Sequence, residues 1–356
     1  MTTDEARGVR EEDAFDIGSM TDWLHANAEK SFQDRLSGTP AVRQFPGGAS
    51  NLTFLLRYPE LDLIMRTPPR GTKAKGAHDM GREYRIQRGL APVFPYVAAM
   101  VAFCEDPAVL GADFYVMERL HGLIPRADLT SDDLTPEQAR GMCLSMVEVL
   151  AELHAVAPDA AGLTSLGKGR GYVRRQVEGW SVRYRNARTD DAPDLERVMT
   201  WLDQRQPDDV GTCVIHNDFK MDNLVFEADD PTRLLGVLDW EMATLGDPLM
   251  DLGGDLAFWV EAADTDLALF RRVPTHLPGM LTRAEVVERY CEQTGLSLTD
   301  EQWRFYEIFG LFRLAVISQQ IYYRYFHGQT TNEAFAVFGP AVRIAEQRIG
   351  TILGWA

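Results

Sequence analysis

Around Gly122 the hydrophobic period of the chain changes from that of strands to that of helices. Up to that point apolar residues come in short runs broken by turn chemistry. VRQFPGGASNLTFLLRY (42–58) predicts strand, glycine-containing turn, strand, and LDLIMRT (61–67) a third strand. YVAAMVAFCE and DFYVMERL supply two more, and one helix interrupts the series near residues 80–90, after a Pro-, Gly- and Lys-rich loop at 67–80. Beyond Gly122, TPEQARGMCLSMVEVLAELHAV (135–156) opens with a capping Thr, an N1 proline and an acidic first turn. Its apolar residues then recur every three or four positions, the mark of a helix buried on one face. Further helices are predicted near 170–187, 193–205, 248–262, 283–294, 300–326 and 332–353, with only two short strands between them, at about 223–226 and 234–239. The expected class is α+β: a flexible acidic arm over residues 1–18, a helix from about Met20 to Phe32, a small antiparallel-sheet lobe over 19–120, and a larger helical lobe over 121–356.

A net charge of −17 repels phosphate backbones, so nucleic acid is not expected as a partner. No apolar run approaches the ~20 residues that span a bilayer, and the acidic N-terminus lacks the apolar stretch of a secretory signal, so no membrane partner is expected. The four cysteines, Cys104, Cys143, Cys213 and Cys291, form no CxxC pair and sit among apolar neighbours, as reduced thiols of a cytoplasmic protein would. Nothing in the pattern fixes an oligomeric state.

Between two apolar runs, VIHNDFKMDNLVF (214–226) holds a polar knot of His216, Asp218, Lys220 and Asn223. A plain turn needs Asn, Asp or Gly, but not a Lys and a His at set distances. Sixteen residues after Asn223 comes Asp239 in GVLDWE, and NLVFEADDPTRLLGVLDW between them reads as strand, turn, strand. Such a hairpin brings Asn223 and Asp239 side by side as hard oxygen ligands of the kind Mg²⁺ accepts. Asp218 is placed to take a proton from a hydroxyl, and Lys220 to balance charge on a phosphoryl group in transfer.

HNDFKMDN followed by LDWE resembles the catalytic loop and metal strand of the protein-kinase-like superfamily, in the branch of aminoglycoside phosphotransferases and choline kinases. The longer phrase VLDWEMATLGDPLMDLG is similar to the phosphotransferase family that includes the kinase-like domain fused to some acyl-CoA dehydrogenases. The resemblance implies a two-lobed kinase-like fold that binds ATP and Mg²⁺. Asp218 is implied as base, Asn223 and Asp239 as Mg²⁺ ligands, Lys220 near the γ-phosphate, and His216 as a brace of the loop. Glu241 is implied to reach the metal through water. Asp247 and Asp251, where a helix begins, are expected chiefly as its caps. In the small lobe Gly47, Gly48, Ser50 and Asn51 would cover the phosphates, in a turn that departs from the protein-kinase G-x-G-x-x-G pattern. LIMR stands where protein kinases read V-A-I-K, so Arg66 takes the phosphate-pairing place, with Glu83 on the next helix as its partner. Backbone groups of Glu118 and Leu120 would meet adenine.

The acceptor is not written in this loop. GKGRGYVRRQVEGWSVRYRNAR (167–188) carries seven basic residues and one acid, a local reversal in an acidic chain. If Arg174 and Arg175 line the cleft, an anionic acceptor such as a hydroxyacyl-CoA suits them; otherwise the helix is a solvated face. The expected activity is transfer of a phosphoryl group to a small-molecule hydroxyl. An aminoglycoside or amino-alcohol kinase and a non-catalytic nucleotide-binding module are the alternatives. A protein kinase would need an activation segment that the dozen residues between Asp239 and Asp251 cannot hold. A flavin enzyme lacks its glycine fingerprint here, and a metal hydrolase lacks a second histidine.

Overall fold

The computed structural model describes residues 6–46, 51–69, 79–330 and 332–355. The small lobe opens with α1 (Ile17–Asn27) and α2 (Lys30–Gln33), followed by β1 (Ala41–Gln44), β2 (Leu52–Arg57) and β3 (Asp62–Thr67). Helix α3 (Met80–Leu90) precedes β4 (Met100–Cys104), the short α4 (Pro107–Leu110) and β5 (Phe114–Glu118). The strands form one antiparallel sheet in the order β1-β2-β3-β5-β4. Side chains alternate between its faces, so Phe54, Leu56, Leu63 and Met65 pack beneath α1 and α2, while Leu55, Ile64, Tyr115 and Met117 face α3.

Two sequence expectations fail in this lobe. The helix predicted from Met20 to Phe32 is broken, because the chain extends at Ala28 and Glu29 before restarting as α2. The described part of the expected arm is packed on the sheet: Arg7 exchanges backbone hydrogen bonds with Gln44, whose side chain donates to buried Asp13 at 2.7 Å. A short acidic segment without periodicity can still be fixed by pairing with a strand edge.

The large lobe contains α5 (Pro136–Ala155), α6 (Tyr172–Ala187), α7 (Glu196–Arg205), β6 (Cys213–Ile215), β7 (Leu224–Phe226), β8 (Leu234–Val237), β9 (Thr244–Gly246), α8 (Pro248–Leu256), α9 (Arg283–Thr294), α10 (Asp300–Phe326) and α11 (Phe338–Ile352). The hairpin β7–β8 matches its expectation, but β6 and β9 form a second two-stranded ladder that three-residue runs were too short to announce. Helix α10 runs for 27 residues through the lobe, with Phe305 to Val316 almost wholly buried. It crosses α8 backbone against backbone, since a Cβ at Gly310 would lie 2.0 Å from the Gly253 carbonyl oxygen. No helix among the described residues is long and apolar enough to cross a membrane.

Candidate functional site

The polar knot is the connection from β6 to β7. Leu224 pairs with Val237, and the Leu238 N–H donates to the Asn223 carbonyl at 2.8 Å, so Asn223 and Asp239 leave the same open end of the hairpin. Asn217 and Asp239 both take φ of +64°, a left-handed conformation that Asn and Asp tolerate better than most residues. One Asp218 carboxylate oxygen lies 3.1 Å from Lys220 Nζ, and the other accepts from Asn223 Nδ2 at 2.9 Å. The Asp218 side chain remains 28% exposed, so it is held from behind yet open to an incoming group. Because the Asn223 amide nitrogen is committed to Asp218, the carboxamide oxygen is its remaining ligand atom.

The small lobe meets this end through charge. In β3, Arg66 stands opposite Tyr115 of β5, which puts both on the face toward α3. One Arg66 nitrogen pairs with Glu83 Oε1, and the other lies 3.1 Å from Asp239 Oδ1. The Tyr115 hydroxyl donates to Glu83 Oε1 at 2.7 Å. A chain of contacts from Tyr115 through Glu83 and Arg66 to Asp239 therefore joins the two lobes. Burial opposes the Arg66 charge, but Tyr115, Glu83 and Asp239 outweigh it and raise its pKa.

Burial raises the Glu83 carboxyl from its ordinary value of 4.5 to about 7, against the opposing pull of Arg66 and the Tyr115 hydroxyl. A carboxyl raised in the fold keeps a proton that the unfolded chain has released. Its contribution to stability is full below the ordinary value and is lost as pH rises through about 7. The wild-type Tm should therefore fall more between about pH 5 and about pH 8 than that of Glu83→Gln. Equal falls in thermal scans of the two proteins would place the titration elsewhere.

A buried frame fixes the loop from below. Asp251, fully buried on α8, accepts from the backbone N–H groups of His216 at 2.7 Å and Asn217 at 2.6 Å, and lies 3.1 Å from His154 Nε2. Burial opposes its charge, yet the bonds from His154 and the loop hold its carboxyl below the usual range. Tyr290 supports His154 at 2.6 Å, and Arg313 of α10 donates to the Asn217 carbonyl at 2.6 Å. One helical turn past Asp251, Asp255 accepts from the Phe219 N–H at 2.9 Å; burial, reinforced by Asp251 and Asp218, raises its carboxyl well above the usual range. His216 is itself fully buried, and its Nε2 lies 3.0 Å from the Leu238 carbonyl just before Asp239. Burial lowers its pKa, so it is a neutral brace.

Other expected residues divide. Glu241 and Asn51 meet directly, Asn51 Nδ2 donating to Glu241 Oε2 at 3.1 Å across the lobes. Arg82 binds the Glu241 carbonyl at 3.0 Å and also the Ala243 carbonyl, a brace of the loop after Asp239 that the sequence did not reveal. Gly47, Gly48 and Ser50 lie outside the described residues. The Glu118 N–H is already given to the Ala99 carbonyl at 2.9 Å, so only Leu120 keeps its N–H clear of the sheet ladder among the described residues. Arg175 folds back onto the Gly169 carbonyl at 2.6 Å, Arg174 is exposed, and Arg185 pairs with Glu196 on the surface. The apolar face of α6 instead joins the core, and the Tyr172 hydroxyl reaches the Asn217 side chain at 3.1 Å. Asp247 caps α8 as expected, while Asp251 caps nothing and carries the loop.

The donor set fits magnesium: one carboxylate and one carboxamide oxygen leave coordination positions for water and phosphate oxygens. Among the described residues no three His, Cys, Asp or Glu side chains converge as ligands.

Residues 41–305 match the phosphotransferase enzyme family (APH). The chain is 35% identical over 297 residues to acyl-CoA dehydrogenase family member 10 of Mus musculus, covering 83% of this chain and 28% of that protein. It is 32% identical over 332 residues to acyl-CoA dehydrogenase family member 11 of Rattus norvegicus, covering 90% of this chain and 41% of that protein. The chain thus spans well under half the length of these relatives. The crystal structure of a candidate aminoglycoside phosphotransferase from Ralstonia eutropha JMP134 superposes with a TM-score of 0.81 at 32% identity, over 96% of this chain and 99% of that one. The architecture is the two-lobed α+β arrangement of kinase-like phosphotransferases.

Proposed function

The chain belongs to the phosphotransferase enzyme family, and on that footing we propose that it transfers the γ-phosphoryl group of ATP to a hydroxyl of a small molecule. The observation that carries this reading is the link from Arg66 to Asp239, which places the small lobe's buried cation beside the expected metal carboxylate and the Asp218 loop. The acceptor oxygen attacks the γ-phosphorus, the bond to the β–γ bridging oxygen breaks, and Asp218 takes the hydroxyl proton. Lys220, 4.7 Å above the Phe258 ring and 3.1 Å from Asp218, keeps a positive charge where the transferring group becomes crowded with oxygen. Arg66 shifts its free donors to phosphate oxygens. Asn223 and Asp239 would hold Mg²⁺, which would supply charge neutralisation there.

We favour an anionic acceptor such as a hydroxyacyl-CoA over an aminoglycoside. The start of α6, with exposed Arg170 just before the helix and exposed Arg174 in its first turn, adjoins the Asp218 loop through the Tyr172–Asn217 contact, and a polycation would be repelled there. An ATP-consumption screen across hydroxyacyl-CoAs, amino-alcohols, sugars and aminoglycosides tests both statements. Asp239→Ala should lose Mg²⁺-dependent nucleotide binding by at least ~10-fold in calorimetry with and without the metal. Nucleotide affinity that ignores the substitution, or turnover confined to aminoglycosides, would refute the corresponding statement.

A further inference from the structure

Helix α3 has a second face besides the one that offers Glu83 to the site. Arg82, Arg85 and Arg88 recur every three residues along one stripe. Between this stripe and the segment 161–166 that follows α5 lies a groove of about 440 Å³, within the size range of ligand pockets. The small lobe supplies the three arginines, and the large lobe supplies Leu163 and Ser165. At the closest point the lobes touch backbone to side, since a Cβ at Gly89 would lie 2.4 Å from the Ala161 carbonyl oxygen.

Among the described residues no carboxylate lines the groove, although the whole chain carries a charge of −17. Three guanidinium groups gathered on one stripe repel one another, and Glu29, Asp79 and Glu83 answer only part of that charge. Arg88 has an exposed contact with Glu29 at 3.4 Å and the Tyr84 hydroxyl at 3.2 Å. Arg82 spends its donors on two backbone carbonyls, which carry no net charge. Burial, with Arg85 adding to it, lowers the Arg82 pKa despite Asp79 and Glu83. Arg85 is exposed and makes no salt bridge among the described residues.

We propose that this groove is a second binding site, for an anion bearing two or more phosphate groups, and that the anion clamps α3 to the large lobe. Guanidinium forks match phosphate oxygens in pairs, and the Ser165 hydroxyl adds a neutral donor from the opposite wall. Asp218, Lys220, Asn223, Asp239, Arg66 and Glu83 are all absent from the lining, so the groove lies outside the cleft and meets the loop after Asp239 through Arg82. Glu83 rides on the same helix as the three arginines. A ligand in the groove therefore biases the position of the Glu83–Arg66 pair, and by linkage a nucleotide in the cleft changes the anion's affinity by the same factor.

Calorimetric titration of inorganic pyrophosphate into the full chain tests the site, with variants that separate the groove from the cleft. Binding should weaken at least tenfold in Arg85→Glu, less in Arg85→Gln, and persist in Arg66→Met. Circular dichroism and the thermal midpoint check that each variant is folded. Equal affinity in wild type and Arg85→Glu overturns the proposal, and so does binding lost in Arg66→Met but kept in Arg85→Glu. The test needs no turnover, so it stands or falls apart from the proposed transfer reaction. Coenzyme A as competitor separates two sources of the phosphate. Displacement of pyrophosphate assigns the groove to the phosphate-bearing end of an acceptor, and no displacement assigns it to a free polyanionic effector.

Discussion

Asp218→Asn should reduce phosphoryl transfer by roughly 10²–10⁴-fold, the usual contribution of a positioned base, while nucleotide affinity stays within a few-fold. The amide keeps the size of the carboxylate and one oxygen for Lys220 or Asn223, so the loop geometry changes little. What disappears is the capacity to take a proton from the acceptor hydroxyl. Single-turnover rates with saturating MgATP isolate that step from binding. A variant that turns over at the wild-type rate would remove Asp218 from the chemistry. A variant that loses nucleotide binding in the same measure would make it a structural residue.

Asp251→Ala should be among the most damaging changes in the molecule although Asp251 touches no substrate. The substitution strips the acceptor from the buried His216 N–H and the part-buried Asn217 N–H, and leaves His154 Nε2 without its partner. Each buried donor left unsatisfied costs about 1–3 kcal/mol, so the total loss should be about 3–5 kcal/mol. Thr282→Ala serves as the contrast. It removes the exposed cap of α9, whose hydroxyl accepts from the Glu285 N–H at 3.2 Å, and such a cap typically contributes about 1 kcal/mol. Urea midpoints with unchanged slopes decide the case. Asp251→Ala within about 1 kcal/mol of Thr282→Ala, on the order of a single cap, would show that the loop is held by other contacts.

Much of this site was legible because its chemistry is local in sequence. His216, Asp218, Lys220 and Asn223 fall within one short connection, and a hairpin with recognisable turn chemistry carries the chain to Asp239. Arg66 and Glu83 were legible through the order of strand and helix. Tyr115 was not, because only the β3–β5 register places it beside Arg66. The frame beneath the loop was half visible: Asp247, Asp251 and Asp255 recur every four residues on an otherwise apolar helix, too regular a placement for capping alone. His154, Tyr290 and Arg313 lie on three separate helices, and no periodicity ties them to that carboxylate. Where each arginine of α6 points was not legible, for a related reason. A run of like charge states that a face is solvated, but not whether its guanidinium groups turn back to their own helix, as Arg175 does.

The crossing of α8 and α10 has a bearing on how such a scaffold could diversify. Asp251 and Asp255 hang from one of these helices and Arg313 from the other, while the glycines at 253 and 310 leave no gap for even a methyl group. Drift at that junction would tilt the platform under the Asp218 loop before it altered any side chain at the surface. Under the proposed transfer reaction, new acceptor preferences are free to arise along the rim, whereas the interior joint is closed to experiment.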